Sequence, residues 1–590
     1  MQLPNTGFIF GKENSTPVNW RLGKSVLDSY PVLTKLPRRL FQHFRNWFRQ
    51  PWLWLLLWAG GLMLLNAPQQ SLMAYDEGYY AQQARWMLEN NDWITVGWWG
   101  TPVFDRTIGA QWLIALSYHW FGIGEWAARL PSMAASLGAI FLTWRIGTRL
   151  VPPTTGLWGA AILTVMPLWM HSTKLATQDM LLVFLELLAI WALLHSEDHP
   201  HQRLGWGMVA GMALSLGFLA KSVMIVLPAI ALLPYLIRGR KSHRHLTNLG
   251  LYYGLLFGAI PSVIWLGCSV ARYGLLPLNQ LFEKVILLSQ AGSENATSAT
   301  FQSTTTITYY LWHIPATTFP WVLFALVGAW LLCRSPSVGR RTLWLGYPAV
   351  LLGLLSLFDT RTWYYSLQLY PFIALLAAVG LNHVGRLYRS RAPRRYRIAV
   401  GLSWAVGVLA LLLISAGIAL ILTPGQLISD DIRPYGWLGL LGGMGWLMPW
   451  VMGMYRYGKI SPTQQKLWQW GWLLGPWLAI AAAFSTGLWG NYNPDLKTAL
   501  ATEPIAPILA NNAIHIIQPG GDRDTILLTF YTPHLGKPLA DWTQIPSENY
   551  AWGNGQQVPL SPDSGYEIIA TLGDWHLVRA PFLPTMTPKG

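Results

Sequence analysis

Asp76, Glu77, Asp105, Arg106, Asp179, Lys221 and Arg361 stand beside long apolar runs in a 590-residue chain that is only 11% charged. Charge placed in or against a bilayer is costly and points to function. Three cations, Arg106, Lys221 and Arg361, suit a phosphate held at a membrane surface, because arginine offers a planar bidentate fork and lysine a point charge. A carboxylate among them can take the proton of an attacking hydroxyl as a general base. Plainer roles exist for the same residues. Tyr80, Ala84, Met87 and Leu88 recur at helical spacing, so residues 76–90 read as an amphipathic helix whose N-terminal dipole favours Asp76 and Glu77. Asp179 reads equally as an N-cap, and Lys221 as a lysine snorkelling to the interface.

The elements that must position these charges are membrane helices. The chain is 52% hydrophobic with 35 tryptophans, whereas a soluble protein carries about 25% charged residues. Apolar runs of about 20 residues recur along it, the length of a bilayer span. The net charge of +15 does not indicate nucleic acid. Its basic residues sit in short loops between apolar runs, the bias of cytoplasmic loops, and no basic stripe on a soluble module is visible. Cys268 and Cys333 lie in apolar runs, which argues against a disulfide framework or a cysteine metal site.

Residues 1–37 are polar and do not read as a signal peptide. Residues 38–49 are basic, with Phe41, Phe44 and Phe48 on one helical face, the pattern of a helix lying on the cytoplasmic surface. The first span covers 51–66 and places the loop after it outside. The run 108–124 is apolar, but a crossing there would put Arg145 and Arg149 outside and invert every later basic loop. It is therefore expected to lie in the interface. Further spans are expected near 127–148, 156–172, 179–195, 204–220, 222–238, 248–270, 315–333, 343–358, 363–382, 398–422, 435–455 and 468–489. This topology brings the charged residues named above to one external face, although almost 300 residues separate the first from the last. Residues 289–308 are polar and of low complexity, which suggests an external loop that covers the site. Residues 490–590 change character. Asp495–Leu509 reads as helix, and Ile514–Ile517, Thr525–Phe530 and Tyr566–Ala570 read as strands. The expected domains are a cytoplasmic segment 1–50, a transmembrane domain 51–489 with its first external loop at 67–126, and an external α/β domain at 490–590.

The stretch Asp76-Glu77-Gly78-Tyr79-Tyr80-Ala81, followed by Phe104-Asp105-Arg106-Thr107-Ile108 and Gln111-Trp112, resembles the first-loop signature of polyprenyl-phosphate-dependent C-type glycosyltransferases. These include protein O-mannosyltransferases and lipid A aminoarabinose transferases. The family pattern has Phe-Glu-Lys-Pro-Pro, so Asp105 and Arg106 keep charge while Thr107-Ile108 replaces the prolines. Phe121-Gly122 and Ala128-Arg129-Leu130-Pro131-Ser132 match further. Thr177-Gln178-Asp179-Met180-Leu181 resembles the second acidic position, and Ala220-Lys221-Ser222 resembles Thr-Lys-Gly. Arg361 with Tyr365, Leu367 and Pro371 resembles a Lys before Tyr-x-Leu-Pro.

The resemblance implies an all-α polytopic membrane protein of about thirteen transmembrane helices, with the C-type glycosyltransferase fold and a small C-terminal external α/β domain. It implies a bacterial inner-membrane enzyme with its N-terminus cytoplasmic and its active site external. A sugar would pass from a polyprenyl-phosphate donor, with inversion, to a lipid A-like glycolipid, a protein or another glycan. Arg106, Lys221 and Arg361 would hold the donor phosphate, Asp76 would act as base, or would orient instead where the acceptor is itself a phosphate, and Asp179 would position the acceptor. Glu77, Tyr80 and Tyr365 would contact substrate. Some relatives hold a divalent metal ion at the position of Asp105, with His171 or His313 as candidate partners here. The rival reading is a secondary transporter or lipid flippase, for which related halves with matching broken helices are expected. A non-catalytic scaffold would not need the charges.

Overall fold

The computed structural model describes residues 50–66, 69–290, 306–334, 341–358, 361–424, 427, 429, 431–456, 458–561 and 564–582. The chain divides into two compact units, residues 1–54 and 55–590. The basic helix expected before residue 50 lies outside the described residues, as does most of the loop 289–308.

Five helical stretches of the described residues are long and apolar enough to cross a membrane. These are Asp179–Asp198, Pro200–Arg238, Leu249–Tyr273, Trp363–Arg389 and Pro393–Leu422. Tyr309–Thr318 and Trp321–Arg334, bent by 110°, add a sixth if counted as one. The expectation of about thirteen spans is met only in part, and the differences have local causes. Residues 156–172 break into Pro153–Leu163 and Pro167–Thr173, because Pro167 cannot continue a helical hydrogen-bond ladder. Pro51–Leu64 has 14 residues, about 21 Å of helix against a hydrocarbon core of about 30 Å. Glu125–Leu150 is long enough but carries Glu125, Arg129, Arg145 and Arg149.

The first-loop run that should not cross is the helix Gly109–Phe121, whose 13 residues span about 20 Å. It buries Ala110, Ile114, Ala115 and Tyr118 and exposes Leu113, Leu116, Trp120 and Phe121, so its outer face is apolar enough to lie in lipid. Asp76–Glu89 packs beside it with Tyr80, Ala81, Ala84 and Met87 inward. Arg203–Lys221 approaches Leu249–Tyr273 through glycine. A Cβ on Gly211 would meet the Leu251 carbonyl at 2.1 Å, and one on Gly254 the Met208 carbonyl at 2.1 Å. Small residues of this kind let membrane helices touch along their backbones, and here they fix the helix that ends at Lys221.

The C-terminal region holds a five-stranded mixed sheet in the order β4-β3-β5-β7-β6. Its strands are β3 Ile514–Ile517, β4 Leu535–Leu539, β5 Tyr550–Asn554, β6 Glu567–Leu572 and β7 Trp575–Arg579; β1 Gly97–Trp98 and β2 Thr101–Pro102 form a separate hairpin in the first loop. β3 is parallel to both β4 and β5. The strand expected at Thr525–Phe530 is instead the helix Arg523–Tyr531 that crosses from β3 to β4. A short apolar run does not distinguish a strand from a buried helix. Asp522 decides it, accepting from the Thr525 N–H at 2.9 Å as an N-cap. The helix expected at 495–509 is broken into Pro494–Leu500 and Ile505–Asn511. Leu527 and Phe530 join the core of the first-loop helices, so the C-terminal region braces the loop that carries Asp76.

Lys174, just after the helix Pro167–Thr173, is 1% exposed. Its Nζ donates to the Leu65 carbonyl at 2.5 Å and stands 4.2 Å from the centre of the Phe484 ring. Burial, with the Arg129 charge behind it, pulls the ammonium down to about 7. An unfolded lysine keeps its proton to about pH 10.4. Between the two values the unfolded chain binds more protons, so stability rises with pH there, and the cost of burying the charge is complete below the folded value. Lys174→Met is therefore expected to raise the melting temperature at neutral pH and to flatten its rise toward alkaline pH. A melting profile across that window checks this; a flat wild-type profile would show that the amine stays charged.

Candidate active site

Two helix N-termini and one helix C-terminus meet at a cavity. Asp76 and Asp179 are the first residues of Asp76–Glu89 and Asp179–Asp198, and Lys221 is the last of Arg203–Lys221. Each charge sits at the helix end whose dipole favours it. The capping role and the chemical role are therefore compatible.

Arg106 enters from the loop before Gly109–Phe121. Its Nη1 lies 2.9 Å from Asp76 Oδ1 and its Nε 3.1 Å from Asp105 Oδ2. The guanidinium stands 4.8 Å from the centre of the Tyr80 ring, within cation–π range. Lys221 pairs with Asp179 and lies 4.7 Å from the Tyr364 ring centre and 5.2 Å from that of Tyr365. Asp76, Tyr80, Asp105, Arg106, Asp179, Lys221, Tyr364 and Tyr365 all line the same cavity. Burial pushes the Tyr80 phenol well above its ordinary value, so it stays protonated and can donate. Asp105 Oδ1 is buried with no hydrogen-bond partner, an acceptor open to a ligand hydroxyl.

Lys284, from the helix Leu276–Gln290, also lines the cavity, 4.0 Å from Asp105 Oδ2. Sequence reasoning passed over it. The available signal was Lys284 beside Glu283 in the external stretch between the expected spans 248–270 and 315–333, a further cation on the face that carries the other charges. With Lys284, three carboxylates face three cations. Thr107, where the family pattern has proline, earns its place here: its hydroxyl accepts from the Ser222 N–H at 3.1 Å. Ser222, where the pattern has glycine, has φ of 51°, the left-handed region that glycine adopts without strain.

Two expected site residues lie elsewhere. Glu77 is fully buried and not among the lining residues. Its carboxylate takes two bonds from Arg129, Nε to Oε1 at 2.7 Å and Nη2 to Oε2 at 2.9 Å. It accepts two more from the backbone N–H groups of Met73 at 2.6 Å and Ala176 at 3.0 Å. All its strong acceptor directions are used within the protein, which leaves a structural role in place of substrate contact. Arg361 does not line the cavity either; its Nε donates to the Ser356 carbonyl at 3.0 Å. Tyr364 and Tyr365, a few residues on, are the part of that motif that reaches the site.

A divalent ion at Asp105 does not fit these residues. The carboxylate oxygen Oδ2 already lies between Arg106 and Lys284, and among the described residues no three of His, Cys, Asp and Glu group closely enough to hold a metal. His171 is engaged with the Tyr492 hydroxyl at 2.7 Å, and His313 stacks on Tyr309.

Comparison with known proteins agrees with the resemblance drawn from the first loop. Residues 105–266 match the family described as dolichyl-phosphate-mannose-protein mannosyltransferase. The undecaprenyl phosphate-α-4-amino-4-deoxy-L-arabinose arabinosyl transferase of Pseudomonas paraeruginosa is 30% identical over 198 residues. That stretch is 33% of this chain, and the chain covers only 36% of the relative's length. The crystal structure of ArnT from Cupriavidus metallidurans bound to undecaprenyl phosphate is similar along 89% of this chain and 98% of its own, with a TM-score of 0.68 at 18% identity. The oligosaccharyltransferase of Archaeoglobus fulgidus is similar along 84% of this chain and 65% of its own, with a TM-score of 0.50 at 13% identity. The fold is thus ArnT-like.

Proposed function

We propose that this chain is an integral-membrane glycosyltransferase that moves a sugar from a polyprenyl-phosphate donor to an envelope acceptor. The observation that carries the reading is the cavity itself, with its charge-balanced cluster and aromatic wall at the ends of apolar helices. The donor phosphate enters between Arg106, Lys221 and Lys284, each of which exchanges an internal carboxylate for the phosphate. Asp76, released from Arg106, takes the proton of the acceptor hydroxyl as it attacks the anomeric carbon. The lipid phosphate leaves with inversion, and the cations stabilise charge growing on the leaving oxygen. Asp179, released from Lys221, orients the acceptor, and Tyr80 and Tyr365 border the sugar. No step passes through a metal ion.

Fold alone does not assign a reaction, so the support is the site together with the matched first loop. The relatives suggest undecaprenyl phosphate as carrier and 4-amino-4-deoxy-L-arabinose, a pentose, as the first sugar to try. A glycolipid resembling lipid A is the first acceptor, with protein and other glycans after it. The reading places the enzyme in a bacterial inner membrane, with the site and the C-terminal region external and the N-terminus cytoplasmic. None of the relatives named above is a transporter or flippase. Purified protein given radiolabelled undecaprenyl-phosphate sugar and an envelope extract should release undecaprenyl phosphate and label the extract. Movement of intact donor across a vesicle membrane without release would overturn the transferase reading.

A further inference from the structure

A second cleft opens at the far end of the Asp76–Glu89 helix, between the β1–β2 hairpin and the C-terminal sheet, with a cavity volume of about 330 Å³. Trp86 and Trp99 border it, with Glu89, Asn90 and Lys537 at its exposed rim. Gln82 lines its inner wall at 3% exposure, and the Gln82 Oε1 has no hydrogen-bond partner. A buried amide oxygen left unpaired costs about 1–3 kcal/mol unless a ligand or water satisfies it.

Trp99 is held in a strained backbone. Gly97–Trp98 pairs with Thr101–Pro102, so Trp99-Gly100 is a two-residue turn, with φ of 49° and 80°. Asn and Gly are the residues such a turn favours, and a bulky aromatic there is an outlier. Its indole N–H donates to Thr529 Oγ1 at 3.1 Å, which fixes the ring across the gap to the C-terminal region. Strain of this kind persists where a side chain has work to do. Gly97 lies against the Trp86 ring, where a Cβ would come within 3.0 Å.

Planar indoles beside an amide, a carboxylate and an ammonium form a set suited to saccharides. The C–H faces of a pyranose pack on indole, and its hydroxyls both donate to and accept from amide and carboxylate groups. We propose that this cleft binds the saccharide portion of the acceptor, an inference that rests on the glycosyltransferase reading. Ten residues of helix separate Asp76 from Trp86, about 15 Å, the reach of a short oligosaccharide. Tyr79 joins the two sites, its ring centre 4.8 Å from that of Trp98 and 5.7 Å from the Arg106 guanidinium. A peptide added to the sheet is the less favoured occupant. The edge strand β4 carries Lys537 and Pro538, and proline has no N–H to offer a new strand.

The test uses the full chain in lipid nanodiscs, since alkyl-glycoside detergents carry a competing saccharide. Chitotetraose, mannotetraose and a tetra-alanine peptide serve as probes, read by saturation-transfer NMR and calorimetry. At least one saccharide should bind, and Trp99→Ala and Gln82→Met should each weaken it by roughly 10-fold. Trp99→Asn keeps a residue the turn favours and should lose affinity while the protein stays folded. The proposal is overturned if neither saccharide binds at roughly 10 mM, if only the peptide binds, or if folded Trp99→Asn binds as the wild type does. Sugar transfer by a protein that binds no saccharide would sink this cleft and leave the transferase reading standing. Saccharide binding that depends on Trp99, in a protein that turns over no polyprenyl-phosphate sugar, would do the reverse.

Discussion

Asp76→Asn is expected to reduce turnover by about 10²–10⁴-fold, the range of a positioned general base, while leaving the protein folded and the donor bound at least as tightly. The reason is the ion pair of 2.9 Å between Asp76 Oδ1 and Arg106 Nη1. This carboxylate neutralises the arginine that is proposed to receive the phosphate. Asparagine preserves the shape but gives up the charge, so Arg106 becomes freer for phosphate just as the base is lost. A binding residue would behave in the opposite way, losing donor affinity along with rate. Arg106→Gln should do that, raising the dissociation constant for undecaprenyl phosphate. Asp179→Asn serves as the comparison: if Asp179 orients the acceptor, its loss should appear in acceptor KM more than in donor affinity. Single-turnover rates and undecaprenyl phosphate binding, measured on the same preparations, separate these outcomes. Near-normal turnover by folded Asp76→Asn would remove it from the chemistry and leave the helix-end role alone.

The sequence already marked most of this cavity, because charge beside apolar runs is rare and conspicuous. Asp76, Asp105, Arg106, Asp179, Lys221, Tyr80 and Tyr365 do come together. Three differences between the expected and the observed lining have physical reasons. Glu77 and Asp76 are neighbours in sequence, but successive residues on a helix point about 100° apart, and only Asp76 turns to the cavity while Glu77 turns to Arg129. Arg361 is grouped with the site by topology and by the resemblance, which place a residue on a side of the membrane and in a motif but do not aim its side chain. Lys284 lies in the stretch 276–290, to which neither the expected spans nor the motifs of the resemblance point. The same limit explains the C-terminal region, where Thr525–Phe530 offered a strand-like apolar run and only the Asp522 cap distinguished it as helix. The span count is met in part for a different reason: hydropathy registers apolar stretches, while proline breaks and a 110° bend decide whether a stretch is one straight helix.

Glu77→Gln is expected to cost the protein about 3–5 kcal/mol of stability, the price of breaking a buried ion pair from one side. That is a large share of the 5–15 kcal/mol by which a typical domain is stable. Glu77 is 0% and Arg129 1% exposed, so neither charge has water to fall back on. The pair is also a junction. Arg129 donates further to Gln70 Oε1 at 3.0 Å, the Ser71 carbonyl at 2.9 Å and the Gly490 carbonyl at 3.0 Å. Glu77 reaches the Ala176 N–H, three residues before Asp179. Four separate segments, 70–77, Glu125–Leu150 and the stretches at Ala176 and Gly490, therefore converge on one ion pair, and the first and third lead to Asp76 and Asp179 beside the cavity. Glutamine fits the space but cannot balance the guanidinium, and its NH₂ group must face a backbone N–H that now has no acceptor. The expected signature is a lower melting temperature and poor accumulation, with lost activity following lost fold. Glu77→Gln combined with Arg129→Met removes the stranded charge and should recover part of the stability; the carbonyls of Ser71 and Gly490, left without their donor, keep the recovery incomplete. A substrate-binding Glu77 predicts a different pattern, in which Glu77→Gln melts like the wild type, accumulates normally and shows only a raised KM. Melting curves together with kinetics per folded molecule decide between the two.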